Sequence, residues 1–297
     1  MLEVNSKHQQ NLIGSILMVV SMAAFSVEDS FLKMASQTLP IGQILMLFGV
    51  GGAVFFTGFA KLYNQPLFPK EVLSKPMRIR VIFEITGRLF YMLAIALTPL
   101  SSATVILQAT PVIVVAGAAL VFGEKVGMQR WGAILVGLLG VVIIIGPGTE
   151  SFSALSVFAV LGMLGFAGRD LASRAAPFNL SILILGVYGF VSIIVAGALF
   201  SVWEGNAMVS VDTNSALYVI GAILAGVIAY AALMTAMRTG DVSAVTPFRY
   251  SRLLFGVTLG VLFFDEQLTF SMVFGSGLIV ISGLFILWQS KQMRTSF

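Results

Sequence analysis

Met22-Ala-Ala-Phe25-Ser-Val-Glu28-Asp29-Ser-Phe-Leu-Lys33 returns 141 residues later as Met163-Leu-Gly-Phe166-Ala-Gly-Arg169-Asp170-Leu-Ala-Ser-Arg174. Methionine, phenylalanine and aspartate recur in place, and a base closes each stretch. Ser102-Ala103 matches Ser243-Ala244 at the same offset, and Gly132 and Gly140 match Gly275 and Gly283 after a slip of two residues. The chain therefore reads as two copies of one unit, 1–149 and 150–297.

Each copy is too apolar for a soluble domain. Hydrophobic residues make up 58% of the 297 and charged residues 10%, against about 25% charged in soluble domains. The mean hydropathy is +0.99. The apolar residues fall in blocks of about 20, the length of a membrane-crossing helix. Lipid offers the backbone no hydrogen bonds, so helices are expected. A spanning barrel would alternate polar and apolar residues, and 111–122 and 133–145 do not.

Hydropathy places ten spans near 11–35, 39–62, 79–98, 101–122, 129–146, 154–174, 179–202, 215–237, 242–263 and 270–289. Five per copy is odd, so the second copy enters the bilayer upside down. The expected fold is an all-α integral membrane protein of ten transmembrane helices in two inverted five-helix repeats. Such repeats recur in transporters, with the substrate site near the midplane between the halves.

Basic residues indicate orientation. With the N-terminus in the cytoplasm, inner segments hold Lys7, Lys61, Lys70, Lys75, Arg78, Arg80, Lys125, Arg130, Arg174, Arg238, Lys291 and Arg294. Outer segments hold the acids Glu150, Glu204, Asp212, Asp265 and Glu266, with Lys33 as the basic exception. Both termini are expected in the cytoplasm. The first apolar block runs from Leu12 past Phe25 without a small-x-small cleavage pattern, so it reads as a span rather than a signal.

Several chemistries are excluded. With no cysteine there is no disulfide, thiolate metal site or cysteine nucleophile. The lone His8 precedes the first span and is assigned no metal. No basic patch with interleaved aromatics points to nucleic acid, and no Walker lysine motif points to ATP. With no acidic DxxD-type cluster either, the chain does not read as an enzyme and no cofactor is expected.

Charges within spans are costly, about 2.5–3.5 kcal/mol each on insertion scales, and persist where paired or lining a wet cavity. Arg249, Tyr250 and Arg252 follow Pro247, which can kink span nine. The two arginines share a helical face and can fork a carboxylate or phosphate; Arg252 is expected to lie deeper. In span three, Glu84 and Arg88 have the i,i+4 spacing of an intrahelical salt bridge, with Tyr91 one turn on. Tyr230 in span eight could add a hydroxyl or stacking contact. Arg88, Tyr91, Gln108, Tyr230, Arg249, Tyr250 and Arg252 are the candidate substrate contacts.

Glu28 and Asp29 in span one, and Arg169 and Asp170 at the matching place in span six, are candidates for coupling or gating. Lys33 and Arg174, each four residues beyond an aspartate, join them with Glu84. Adjacent carboxylates repel, which suits a proton site; a salt bridge from Asp29 to Lys33 and recognition of a substrate ammonium are the competing readings. Gly256 and Gly260, Gly132, Gly137 and Gly140, and the run 116–119 are expected to let helices approach closely.

The stretch Ala94-Ile-Ala-Leu-Thr-Pro-Leu-Ser-Ser-Ala-Thr-Val-Ile-Leu-Gln-Ala-Thr-Pro111, with Phe122-Gly-Glu124-Lys beyond it, resembles the EamA-type module of the drug/metabolite transporter superfamily. Thr239-Gly-Asp-Val-Ser-Ala-Val-Thr-Pro247 through Phe263-Phe-Asp-Glu266 resembles it again. The resemblance implies a ten-helix basket around a cavity lined by both halves, in the bacterial cytoplasmic (inner) membrane. Where many EamA modules carry an arginine in span two, this chain reads Leu45-Met-Leu-Phe-Gly49-Val-Gly-Gly52. The expected function is secondary transport of a small polar metabolite, an amino acid or related zwitterion or organic anion, by alternating access. An uncoupled facilitator or channel is the alternative, as is an importer of a larger metabolite such as S-adenosylmethionine, riboflavin or a dicarboxylate. Expected partners are that small molecule, protons or a counter-substrate, and lipid, with the protein a monomer or homodimer.

Overall fold

The computed structural model describes residues 2–123, 127–146, 154–177, 180–205, 207–239 and 245–295. Among them are eleven α-helices and no strand. The first copy holds α1 (Leu2–Ala35), α2 (Ile41–Leu62), α3 (Lys75–Leu97), α4 (Leu100–Leu107), α5 (Thr110–Phe122) and α6 (Met128–Ile145). The second holds α7 (Ser156–Arg174), α8 (Ile182–Glu204), α9 (Thr213–Thr239), α10 (Ser251–Phe264) and α11 (Phe270–Thr295).

Two expected spans are broken. The fourth is α4 followed by α5, interrupted at Gln108 and Ala109. Pro111 has no N–H to offer the carbonyl of Leu107, and the Thr110 hydroxyl donates to that carbonyl instead, at 2.5 Å. The ninth starts as a 3-10 turn, Thr246–Tyr250, with Pro247 in its first positions, and becomes α-helical only at Ser251.

Six segments among the described residues are long and apolar enough to cross a membrane: Gln9–Ala35, Ile41–Leu62, Leu100–Val121, Ser156–Ser173, Ile182–Glu204 and Thr213–Met237. Trp131–Ile145 and Phe270–Ile286 are shorter apolar helices. Span three does not qualify because α3 carries Lys75, Arg78, Arg80, Glu84 and Arg88. Its low hydropathy comes from a functional-looking charged stripe rather than from a solvent-exposed helix.

The halves pack by a simple rule. α1 lies along α9, α2 along α8, α3 along α7, α4 along α10 and α6 along α11. Exchanging the copies turns the α1–α9 pair into α7–α3 and returns α2–α8, α6–α11 and the pairing of span four with span nine to themselves. This is the contact pattern of a two-fold axis between the halves. With five crossings in each copy, the axis lies in the membrane plane and the repeats are inverted.

Glycine sets how closely these pairs approach. A methyl group on Gly165 would lie 2.3 Å from the Gly87 Cα, one on Gly197 2.6 Å from the Gly42 carbonyl oxygen, and one on Gly140 2.7 Å from that of Gly275. Helices in lipid gain no hydrophobic drive from meeting each other, so backbone-to-backbone packing holds these seams. Gly256 seats Thr104, and Gly137 faces Ser282 and Val112. Gly132 departs from expectation: nothing lies within 4 Å of where its side chain would be, so it supports no close approach.

Gly165→Leu should therefore destabilise the protein by about 3 kcal/mol or more, the upper end for overpacking. Gly132→Ala should be neutral or slightly stabilising, since Ala is the better helix former. Thermal unfolding in detergent compares the two; equal effects would refute the glycine seam.

Candidate functional site

Five arginines and four carboxylates line the interior where α1, α3, α7 and the start of span nine converge. Among the described residues six ion pairs connect them, two separate pairs around Glu28 and Asp29 that form a first group and a five-residue chain that forms a second, strung along one face of α3. Arg80, Glu84, Arg88 and Tyr91 fall at intervals of four, four and three residues, so their side chains stack on that face. Arg80 and Arg88 are about 12 Å apart along the axis, at 1.5 Å per residue.

The first group is deeply buried. Arg88 donates to Glu28 at 2.7 Å, and its guanidinium lies over the Phe48 ring. Arg252 donates to Asp29 Oδ2 at 2.6 Å, and the Tyr91 hydroxyl donates to the same oxygen at 3.0 Å. The Arg252 guanidinium is held between the rings of Phe25 and Tyr91. Glu28 and Asp29 side chains are 0% and 1% exposed. Gly226 makes room for the Glu28 carboxylate, whose Oε2 would lie 2.9 Å from a side chain there.

The second group is more exposed at its Arg169, Asp170 and Arg249 end. Arg169 donates to Asp170 Oδ1 through Nε at 3.0 Å and Nη2 at 2.9 Å. Arg249 reaches Asp170 Oδ2 only at 3.4 and 3.5 Å. Glu84 lies 3.4 Å from both Arg80 and Arg169. Arg80 also donates to the Tyr230 hydroxyl at 3.2 Å and to Ser173 Oγ at 3.0 Å. Arg249 and Asp170 side chains are each 21% exposed and Arg169 18%.

Several sequence expectations change here. Glu84 does not neutralise Arg88: it turns back to Arg80 and across to Arg169, because Glu28 on α1 already occupies Arg88. Asp29 does not pair with Lys33. It faces inward to Arg252, while Lys33 points along the end of α1 to the carbonyls of Ile95 and Thr98. Asp170 pairs with Arg169 and Arg249; the side chain of Arg174 lies outside the described residues. Arg252 is more buried than Arg249, 12% against 21%, as its deeper place in span nine implies. Tyr250 is buried, but it packs on Gly283 of α11 and takes no part in either group.

Arg80, one of the inner basic residues that indicate orientation, is 2% exposed and central to the second group, although the sequence does not single it out as a site residue. Its spacing of four from Glu84, the same spacing that singles out Arg88, is the signal that marks it. Gln108 donates to the carbonyl of Arg249 at 3.1 Å across 141 positions. That is the offset of the repeat itself, so these are counterpart residues meeting at the two-fold axis.

The fold and this interior define a class: a multi-pass helical membrane protein with two inverted halves and a charged, internally paired centre. The EamA-like transporter family model matches residues 12–146 and again 153–288. The chain belongs to the EamA-like transporter family, within the drug/metabolite transporter superfamily, and is a transporter rather than an enzyme. It is 26% identical to a riboflavin transporter of Rhizobium johnstonii, over 93% of this chain and 91% of that one. It is 23% identical to an S-adenosylmethionine uptake transporter of Rickettsia prowazekii, over 99% and 98%. A pseudopaline exporter of Pseudomonas aeruginosa is 27% identical, over 91% and 94%. One solved crystal structure shares the fold with a TM-score of 0.61 at 16% identity, covering 97% of this chain and 99% of its own.

Removing one member of a buried pair leaves the other charge stranded, at about 3–5 kcal/mol, whereas replacing both with apolar groups is often close to neutral. Arg88→Leu should thus lower the melting temperature more than Arg88→Leu with Glu28→Leu. A double-variant loss equal to the sum of the Arg88→Leu and Glu28→Leu losses would show that the two side chains are not energetically coupled.

Proposed function

We propose that this transporter is a secondary carrier for a small carboxylate-bearing metabolite, with Arg249 as the anchor for the substrate anion. The observation that supports this is the unequal sharing of Asp170. Arg169 takes one oxygen with two short bonds, leaving Arg249 with long contacts to the other. The described interior also holds one more guanidinium than carboxylate: Arg80, Arg88, Arg169, Arg249 and Arg252 against Glu28, Glu84, Asp29 and Asp170. A bound carboxylate would balance that charge and replace the weak Asp170 contact with a bidentate one. Arg252, the stronger candidate from sequence, is already committed to Asp29. An amino acid is the first choice of substrate and a dicarboxylic acid the second.

The carrier works by alternating access between related halves, coupled to protons or a counter-substrate, with both termini in the cytoplasm of a bacterial cell and the protein a monomer or homodimer. The asymmetry of Lys and Arg across the spans supports that orientation. Relatives named for uptake and for export leave the direction open. The names of the riboflavin and S-adenosylmethionine relatives support a second reading, import of a larger metabolite.

A thermal-shift screen of purified protein against amino acids, organic acids, riboflavin, S-adenosylmethionine and nucleosides tests the anchor. A carboxylate-bearing compound should stabilise the wild type, and Arg249→Ala should weaken that effect about tenfold or more in apparent affinity, the scale of losing a charged hydrogen-bonded contact. Undiminished stabilisation of Arg249→Ala would remove Arg249 from the site. Counterflow in proteoliposomes separates a carrier, whose uptake is accelerated by internal substrate, from a channel, whose uptake is not.

A further inference from the structure

We infer that Glu266 and Lys33 form the outer gate latch of this transporter, and that the structure is its outward-closed state. The inference rests on the alternating-access reading and goes beyond it by naming the closing device. Glu266 follows α10 in the second copy, but every partner its carboxylate has belongs to the first copy. Its Oε1 accepts the backbone N–H of Leu100 at 2.5 Å, and its Oε2 accepts the N–H of Ser101 at 2.9 Å and the Ser101 hydroxyl at 2.6 Å. These are the first N–H groups of α4, which Pro99 at the N-cap cannot satisfy with a side-chain acceptor. A carboxylate there meets both the free donors and the positive end of the helix.

Lys33 completes the junction. Its ammonium donates to the carbonyls of Ile95 at 2.9 Å and Thr98 at 2.6 Å, lies 4.0 Å from Glu266 Oε1, and sits over the Phe264 ring. One cluster thus ties the ends of α1, α3 and α4 to the end of α10. The backbone explains how Glu266 reaches so far. Asp265 adopts a left-handed conformation, φ 50°, and the N–H groups of Asp265 and Glu266 both turn back to the Gly260 carbonyl. Gly260 has no side chain to obstruct the carboxylate: a methyl group there would lie 2.5 Å from Glu266 Oε2.

The seam below the latch is shut. Thr104 of α4 is seated on Gly256 of α10. Beyond the break at Gln108, α5 packs on α7, while the turn 246–250 packs on α1 and α11. The two broken spans therefore meet on the latch side. Just below the latch, Glu28 and Asp29 are 0% and 1% exposed. With the N-terminus in the cytoplasm, the latch side faces outward.

The chain has no cysteine, so a single introduced thiol reports without background. Thr104→Cys places one in the shut seam, at a position 0% exposed. In right-side-out vesicles a membrane-impermeant maleimide should modify it slowly. Adding Glu266→Gln or Lys33→Met should raise the rate about tenfold, as expected for losing one charge-assisted capping interaction. Ser101→Ala should raise it less, and Lys33→Arg should leave it near the starting value. Unchanged rates in variants that retain a cooperative melt, or a rise seen only with reagent on the cytoplasmic side, would overturn the latch. Counterflow on the same variants separates the two readings. Loss of counterflow in wild type refutes the carrier, whereas intact counterflow with unchanged labelling refutes only the latch.

Discussion

A charge in lipid must find a partner within the protein, and here the partners are shared across the two halves. Asp29 and Asp170 occupy matching places in the repeat. Each grips one of two arginines three residues apart at the start of span nine, Asp29 through Arg252 and Asp170 through Arg249. One aspartate comes from each copy, so span nine is tethered to both α1 and α7. The tethers are unequal: the first is short, dry and braced by Tyr91, the second long and partly wet. Under the proposed carrier reading, a ligand would compete for the weaker contact without dismantling the stronger.

The rest of the architecture divides into close-packed pairs and two broken spans. Glycine seams let α2, α3 and α6 lie against α8, α7 and α11 with backbones nearly touching, which makes these pairs stiff bodies. Spans four and nine are different: each is broken near its middle or start, and neither continues as one regular helix. Their breaks fall at the same place in the repeat, Gln108 and Ala109 matching Arg249 and Tyr250, but the residues differ: Arg249 stands where the first copy has Gln108 and Arg252 where it has Pro111. The copies therefore share a scaffold and diverge at the axis, where the Gln108 amide meets the Arg249 carbonyl.

Much of this was legible in the sequence because it depends on periodicity. Block length, the odd number of spans per copy and the 141-residue offset lead to inverted halves without reference to any contact. The i,i+4 spacing on α3 marks a charged face, and that face exists. What spacing cannot do is choose among partners. Glu84 has a base four residues away on either side, and only the approach of α1 and α7 decides that Arg80 and Arg169 take it while Arg88 goes to Glu28. Arg80 escapes notice for a related reason: counted with the bases near a span end, it gives no sign in sequence that Ser173 of α7 and Tyr230 of α9 hold it inside the protein.

Glu266 shows the limit most clearly. In sequence it is one acid in an outer loop, indistinguishable by charge counting from Asp265 beside it. Their roles separate through backbone geometry. The left-handed turn falls on Asp265, at the place where the first copy has Gly123, also left-handed at φ 65°. Aspartate tolerates that conformation better than most residues, so the turn survives without glycine and directs the next side chain across the interface. The repeated Phe-Gly-Glu and Phe-Asp-Glu motifs thus carry a turn followed by a carboxylate. In the second copy, that carboxylate caps a helix belonging to the first.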